Sequence, residues 1–256
     1  METETIVYEQ PLNEYIRFSL RLEYLFAQVK YYLDKQSHWD IRSALATIIE
    51  ILNTIDRPDI KSKLTNALQL HSSALMQLHN SPDINKEKLQ NILRRLNQLT
   101  NTLHNTQGKL GQCLRDNEFL ATIRQRINTP GGTSNFAIPA YHLWLQQPLE
   151  QQQTTLQTWF DTFDQLQTIV NLLLRLTRES AVPTSQTAHH GFYQETLVTN
   201  ISYQMIQVII PKQTNVYPEI SVGRHRLSIH FFNLNIASRA TQVSDNVEFK
   251  LTRCKI

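Results

Sequence analysis

The sequence predicts an α+β fold, with an N-terminal all-helical domain over residues 1–180 and a mainly antiparallel β-domain over residues 181–256 packed on it. Three observations carry this. Up to about residue 180, apolar residues recur at three- and four-residue steps, the period of a buried helix face. Beyond Pro183, β-branched and aromatic residues dominate, in runs whose character alternates at every second position. Charge divides at the same place. Residues 1–180 hold 18 basic and 18 acidic side chains, and residues 181–256 hold 7 and 4, so the whole net charge of +3 lies in the last third.

A first long helix spans Leu12 to Asp34. Tyr15, Phe18, Leu22, Leu25, Phe26, Val29, Tyr32 and Leu33 form one apolar seam, and Ile16, Leu20, Tyr24, Ala27 and Tyr31 a second. Two stripes predict a central helix packed on two sides. Its polar remainder is narrow and carries Arg17 and Arg21 one turn apart. A second helix covers Asp40–Ile55, with Asp40 as its cap. Pro58 suits the start of the third helix, where a missing N–H costs nothing, and His71 falls in that helix's apolar seam as a core histidine. Ser81-Pro82-Asp83 reads as a turn, and a fourth helix carries Leu89, Leu96, Leu99 and Leu103. The stretch from about 58 to 105 is therefore a long antiparallel hairpin. A shorter helical pair covers 107–127, with Asp116 as the cap of its second member. Pro130-Gly131-Gly132 forces a turn, and AYHLWLQQP fits either a helical turn or a strand. The last helix runs from Leu149 to Glu179, and the Gln cluster at 146, 147, 151, 152 and 153 reads as its solvated face.

In the β part, Leu227, Ile229 and Phe231 face one way, and Arg224, Arg226, Ser228, His230 and Phe232 the other. Val247, Phe249 and Leu251 alternate with Glu248, Lys250 and Thr252. No helical pattern separates the runs, which makes the sheet antiparallel. Pro211 and Pro218 belong to connections or edges.

Composition excludes several function classes. Charged residues make up 18% of the 256, and polarity is supplied instead by 24 Gln and 18 Asn. A net charge of +3 is too small for a protein that coats nucleic acid by electrostatics alone. Two cysteines, Cys113 and Cys254, exclude a disulfide scaffold and a cysteine-built zinc site. Six glycines leave little room for phosphate-cradling loops. The N-terminus lacks the basic and apolar regions of a secretory signal, and no apolar run approaches the ~20 residues that cross a bilayer. A soluble, reducing, intracellular setting is expected, with no membrane insertion. No spacing of the nine histidines matches a metal site, and His189-His190, read as strand residues, point to opposite faces. No nucleophile, Rossmann or P-loop motif occurs. The expectation is a non-enzyme with no metal and no cofactor.

What remains is arginine. Arg115, Arg124 and Arg126 cluster around one short helix, with Lys109 upstream, and Arg224, Arg226 and His230 share the positive third of the chain. A planar guanidinium fork suits a carboxylate. The bland alternative is ordinary surface ion pairing, worth about 0–1 kcal/mol each. On residues alone, a pocket for an acidic peptide and such pairing both stay open.

Several stretches, in order, resemble the ZapD family of bacterial division proteins that bind FtsZ. They are YEQPLNEYIR (8–17), LRLEYL (20–25), FLATIRQRI (119–127) running into PGG (130–132), HLWL (142–145), GFYQ (191–194), VYPEIS (216–221) and RHRLSIHF (224–231). The resemblance spans essentially the whole chain. It implies a helical domain and a β-domain assembled as a homodimer. The implied function is to bind the FtsZ C-terminal tail and to cross-link and bundle its filaments at the midcell division ring in the cytoplasm. It places basic positions at Arg21, Arg57, His142 and Arg226. Two departures stand out: Glu118 where a basic residue is expected before FLATIRQR, and His230 where an arginine is expected. They shift the expected pocket toward Arg115, Arg124 and Arg126. The other readings are an adaptor for another acidic peptide and a weak nucleic-acid binder using the positive β face.

Overall fold

The computed structural model describes residues 4–35, 37–80, 85–198 and 200–256. In order, the elements are β1 (Thr5–Pro11), α1 (Glu14–Leu33), α2 (His38–Thr54), α3 (Ile60–Gln77), α4 (Lys86–Asn105), α5 (Gln112–Arg115), α6 (Glu118–Arg126), α7 (Pro139–Trp144), α8 (Leu149–Asp161), α9 (Asp164–Arg178), β2 (Thr184–Ala188), β3 (Phe192–Thr196), β4 (Tyr203–Pro211), β5 (Val216–Val222), β6 (Arg226–Asn233), β7 (Thr241–Gln242) and β8 (Val247–Lys255). All helices α1–α9 come before the strands β2–β8, of the described strands only β1 precedes them, and the strands pair antiparallel, so the α+β class holds. The chain forms two compact units: the segment up to Arg17 with Leu174–Ile256, and Phe18–Leu173. Among the described residues no helix is long and apolar enough to cross a membrane.

The helical unit is built on α2, whose face of Ile41, Leu45, Ile48, Ile49 and Leu52 is fully buried. α2 packs on α8. Phe26 of α1 meets Phe160 edge-on at 6.2 Å and Phe163 at 6.3 Å. The α2 cap is Ser37 rather than Asp40: the Ser37 hydroxyl accepts from the Asp40 N–H, and Asp40 instead accepts from that hydroxyl. Pro58 lies two residues ahead of α3 rather than inside it. The hairpin forms from α3 and α4, and Lys61 near the start of one donates to the Thr106 carbonyl just past the end of the other at 2.6 Å. The proposed turn at Ser81–Asp83 lies outside the described residues.

Three expectations for this unit fail. The second stripe of α1 is buried at Ile16 but open from Tyr24 onward, with Tyr24 67% and Tyr31 59% exposed. Tyrosine tolerates this because its ring tip is polar, and the Lys35 ammonium sits 4.8 Å from the Tyr31 ring centre. The last long helix is broken at Thr162–Phe163. There the Thr162 and Phe163 N–H groups bond three residues back to Trp159 and Phe160, and the Thr162 hydroxyl takes the Trp159 carbonyl at 2.7 Å. Finally, Gln152 is fully buried rather than solvated. Its amide donates to the carbonyls of Trp144, Leu145 and Gln147 at 3.3, 3.1 and 2.7 Å, closing the C-terminus of α7. Gln153 does the same for the end of α1 through the carbonyls of Leu33 and Lys35.

In the β unit the described strands form two four-stranded sheets. The first has the order β1-β4-β8-β2; in the second β6 lies between β5 and β3, and β7 also pairs with β6. All pairings are antiparallel. Ile206, Val208, Ile210, Phe249 and Leu251 from one sheet and Leu227, Ile229 and Phe231 from the other form a single core. The alternation read on β6 holds, and on β8 it fails only at Thr252, which is buried. Pro218 sits on β5, an edge strand, and Pro211 ends β4. β1 was not legible: residues 5–11, assigned to the helical part, pair with β4 about two hundred residues away. Glu9 of β1 is held bidentately by Arg178 at 2.8 Å, and Gln207 of β4 donates to it at 2.8 Å. His189 and His190 lie in the turn between β2 and β3, where His190 adopts a left-handed φ of 50° and its N–H donates to Asn246. Their strand placement is thereby corrected.

Candidate functional site

Just past the end of α2, Asp56 gathers three cations. Its Oδ1 lies 2.5 Å from Arg115 Nη1 and 3.9 Å from Lys109 Nζ, and its Oδ2 accepts from Arg124 Nη2 at 2.6 Å. The hydrogen bond from Arg124, joined by the charges of Arg115, Arg124 and Lys109, holds this carboxyl below the usual carboxylate range against burial, which opposes it more than any one of those charges favours it. Burial works against the charge of Arg115, and Asp56 opposes that effect.

Local chemistry places each partner. Gly111 begins α5 with φ of 71°, and a Cβ there would stand 3.1 Å from both Ile55 and Leu52 side chains. Only glycine lets α5 approach α2 this closely. Arg115 at the end of α5 is then 9% exposed. It donates to the carbonyls of Ile55 at 3.2 Å and Leu110 at 3.2 and 3.3 Å, satisfying the end of α2. α6 is capped by Asn117, whose side chain accepts from the Leu120 N–H at 3.0 Å; Asp116 instead accepts from Gln112. Arg124 lies in the last turn of α6, and its Nε donates to Asn53 Oδ1 at 2.5 Å. The turn after α6 needs Gly132, where a Cβ would fall 2.1 Å from the Arg126 carbonyl oxygen. A cavity of about 500 Å³ lies against this cluster, lined by Asn53, Asp56, Arg115, Arg124, Gln125 and Asn128 among others.

The remaining expected residues are distributed as follows. Arg21 on α1 and Arg126 on α6 are exposed and make no side-chain hydrogen bond or ion pair among the described residues. Arg57 is exposed and faces Asp59 at 3.5 Å. His142 is exposed on α7, whose Tyr141 and Trp144 are buried in an aromatic cluster with Phe119 and Trp159, ring centres 5.9–6.4 Å apart. AYHLWLQQP is thus helical. Glu118 is the first residue of α6, where an acid complements the helix dipole. In the β unit, Arg226 is exposed at the start of β6, and Arg224 stands in the turn before it rather than on the strand. Neither is paired among the described residues. The His230 ring lies tilted against Phe192, ring centres 4.6 Å apart, and its Nδ1 is 3.4 Å from Gln242. The structure therefore brings Arg115, Arg124 and Lys109 together around Asp56. The sequence reading missed Asp56 and Asn53. One signal was available: an acid just past a helix C-terminus is unfavourable unless cations accompany it. Among the described residues no group of three or more His, Cys, Asp or Glu could hold a metal ion.

Comparison with known proteins adds the following. The profile of the ZapD family, described as cell division protein, matches residues 20–230. A protein of Coxiella burnetii named cell division protein ZapD is 43% identical over 258 residues, covering 100% of both chains. Proteins of the same name from Methylococcus capsulatus and Azoarcus sp. are 34% and 36% identical, covering 97% and 98% of this chain and 98% and 100% of their own.

Proposed function

The chain belongs to the ZapD family of cell division proteins, and from that premise we propose that it binds the C-terminal tail of FtsZ and, as a homodimer, cross-links FtsZ filaments. The single observation that carries the reading is the full-length match to proteins of that name, which gives the chain its role in cell division. The arginines support the finer part. Arg21, Arg126, Arg224 and Arg226 are exposed without a partner among the described residues. Arg115, Arg124 and Lys109 outnumber the one carboxylate they share. Forks of this kind suit carboxylates of an acidic tail. Arg57, His142 and His230 complete the proposed set. A dimer presents two tail sites, so weak single contacts become a durable cross-link through effective concentration. The proposed location is the cytoplasmic division ring at midcell.

Co-sedimentation with FtsZ polymers tests this. The protein is expected to pellet with full-length FtsZ and to stay in solution with FtsZ lacking its tail. Arg21→Glu and Arg226→Glu are expected to abolish bundling while leaving the dimer intact. Equal pelleting with both forms of FtsZ would remove tail docking. Wild-type bundling by both variants would remove those two residues from the site.

A further inference from the structure

We propose that Asp56 is a built-in counter-anion: it fills the place in the Arg115–Arg124 cavity that a carboxylate of an acidic peptide takes on binding, and so limits how tightly that peptide is held. The inference rests on the reading that this chain binds an acidic tail.

Two guanidiniums and an ammonium converge on one carboxylate beside an open cavity. The two arginines are oriented by groups other than Asp56. Arg115 is anchored on the carbonyls of Ile55 and Leu110, and Arg124 on Asn53. They keep their positions when Asp56 moves aside. Asp56 itself is not in a helix; it stands between the end of α2 and Pro58, with its side chain 35% exposed. Among the described residues its carboxylate is held by those cations alone. A change of side-chain rotamer is enough to vacate the position. The amides of Gln125 and Asn128 on the same cavity can then bond an incoming peptide backbone. Binding is thus an exchange of one carboxylate for another, which keeps each contact weak and reversible, as a rearranging cross-link requires.

A purely structural tie between α2 and α6 predicts the opposite sign for removing the charge. The test is fluorescence anisotropy of a labelled synthetic peptide carrying the FtsZ C-terminal tail, with the full-length protein. Asp56→Asn is expected to bind roughly tenfold more tightly than wild type, the factor that about 1.4 kcal/mol represents. Equal or weaker binding by folded Asp56→Asn, with wild type still binding, overturns the counter-anion and leaves tail docking standing. No binding by wild type removes tail docking and this inference with it. A second measurement needs no variant: the ¹³C carboxyl resonance of Asp56 in wild type is followed as peptide is added. It is expected to shift on saturation, and a stationary signal overturns the proposal even if Asp56→Asn fails to fold.

Discussion

Arginine serves two purposes in this chain, and its neighbours separate them. Arg178 and Arg253 each hold a carboxylate with two nitrogens, on Glu9 and Glu195. Arg21, Arg126, Arg224 and Arg226 have no such partner among the described residues. The excess of positive charge in the last third is therefore carried by side chains other than Arg253, which is paired with Glu195 at 2.5 Å. A second residue-scale feature concerns acid stability. Burial depresses the pKa of His71 to about 4 from 6.5. Between those values the unfolded chain takes a proton that the folded chain refuses, so stability is full above about pH 6.5 and falls as the pH drops toward 4. The loss is expected to reach up to about 3 kcal/mol. Chemical denaturation of wild type and His71→Leu across that window checks it: the variant should lose most of the slope, and an unchanged slope assigns the effect elsewhere. The core position of His71 was legible from its place in an apolar seam. The role of Asp56 was not, because three of the groups that define it, Lys109, Arg115 and Arg124, lie more than fifty residues away in the chain.

At the scale of elements, three of the many amides acquire a structural account. Gln152 and Gln153 reach back to cap the ends of α7 and α1, and Gln204 accepts from Tyr15 at 2.9 Å and donates to Ser202. An amide suits this because one terminus can bond several orphaned carbonyls without burying a charge. Replacing Gln152 by Met keeps the volume and removes the donors, leaving the α7 carbonyls unsatisfied. The expected cost is about 1–3 kcal/mol, read as a lower urea midpoint with unchanged m. A loss within 0.5 kcal/mol, on the order of a neutral surface change, would show the cap to be dispensable. Sequence period located most helices because each buries a continuous face. It failed at Thr162, where a hydroxyl and a buried Phe163 break the helix without any Pro or Gly to announce it. It also failed at Gln152, though Gln146, Gln147 and Gln151 of the same cluster are exposed as read, since a polar side chain that satisfies a buried carbonyl looks like a solvated one in a linear pattern.

At the scale of the whole molecule, cross-linking by a dimer predicts a concentration dependence that tail binding does not share. As the protein is diluted at fixed FtsZ, bundling seen by light scattering should disappear where sedimentation shows dimer giving way to monomer. Peptide binding per protomer should stay constant. Bundling that persists where only monomer sediments would rule out the dimer as the cross-link. The sequence by itself determined the α+β class, the α2 and β6 core faces, the helical hairpin and the family, because these depend on local period or on ordered short motifs. Only the tertiary structure decided that residues 5–11 pair with β4, which arginines are neutralised, and that Asp56 lies among three cations. Those facts depend on contacts between residues far apart in the chain, and a local pattern carries no information about which distant partner will share its hydrogen bonds or balance its charge.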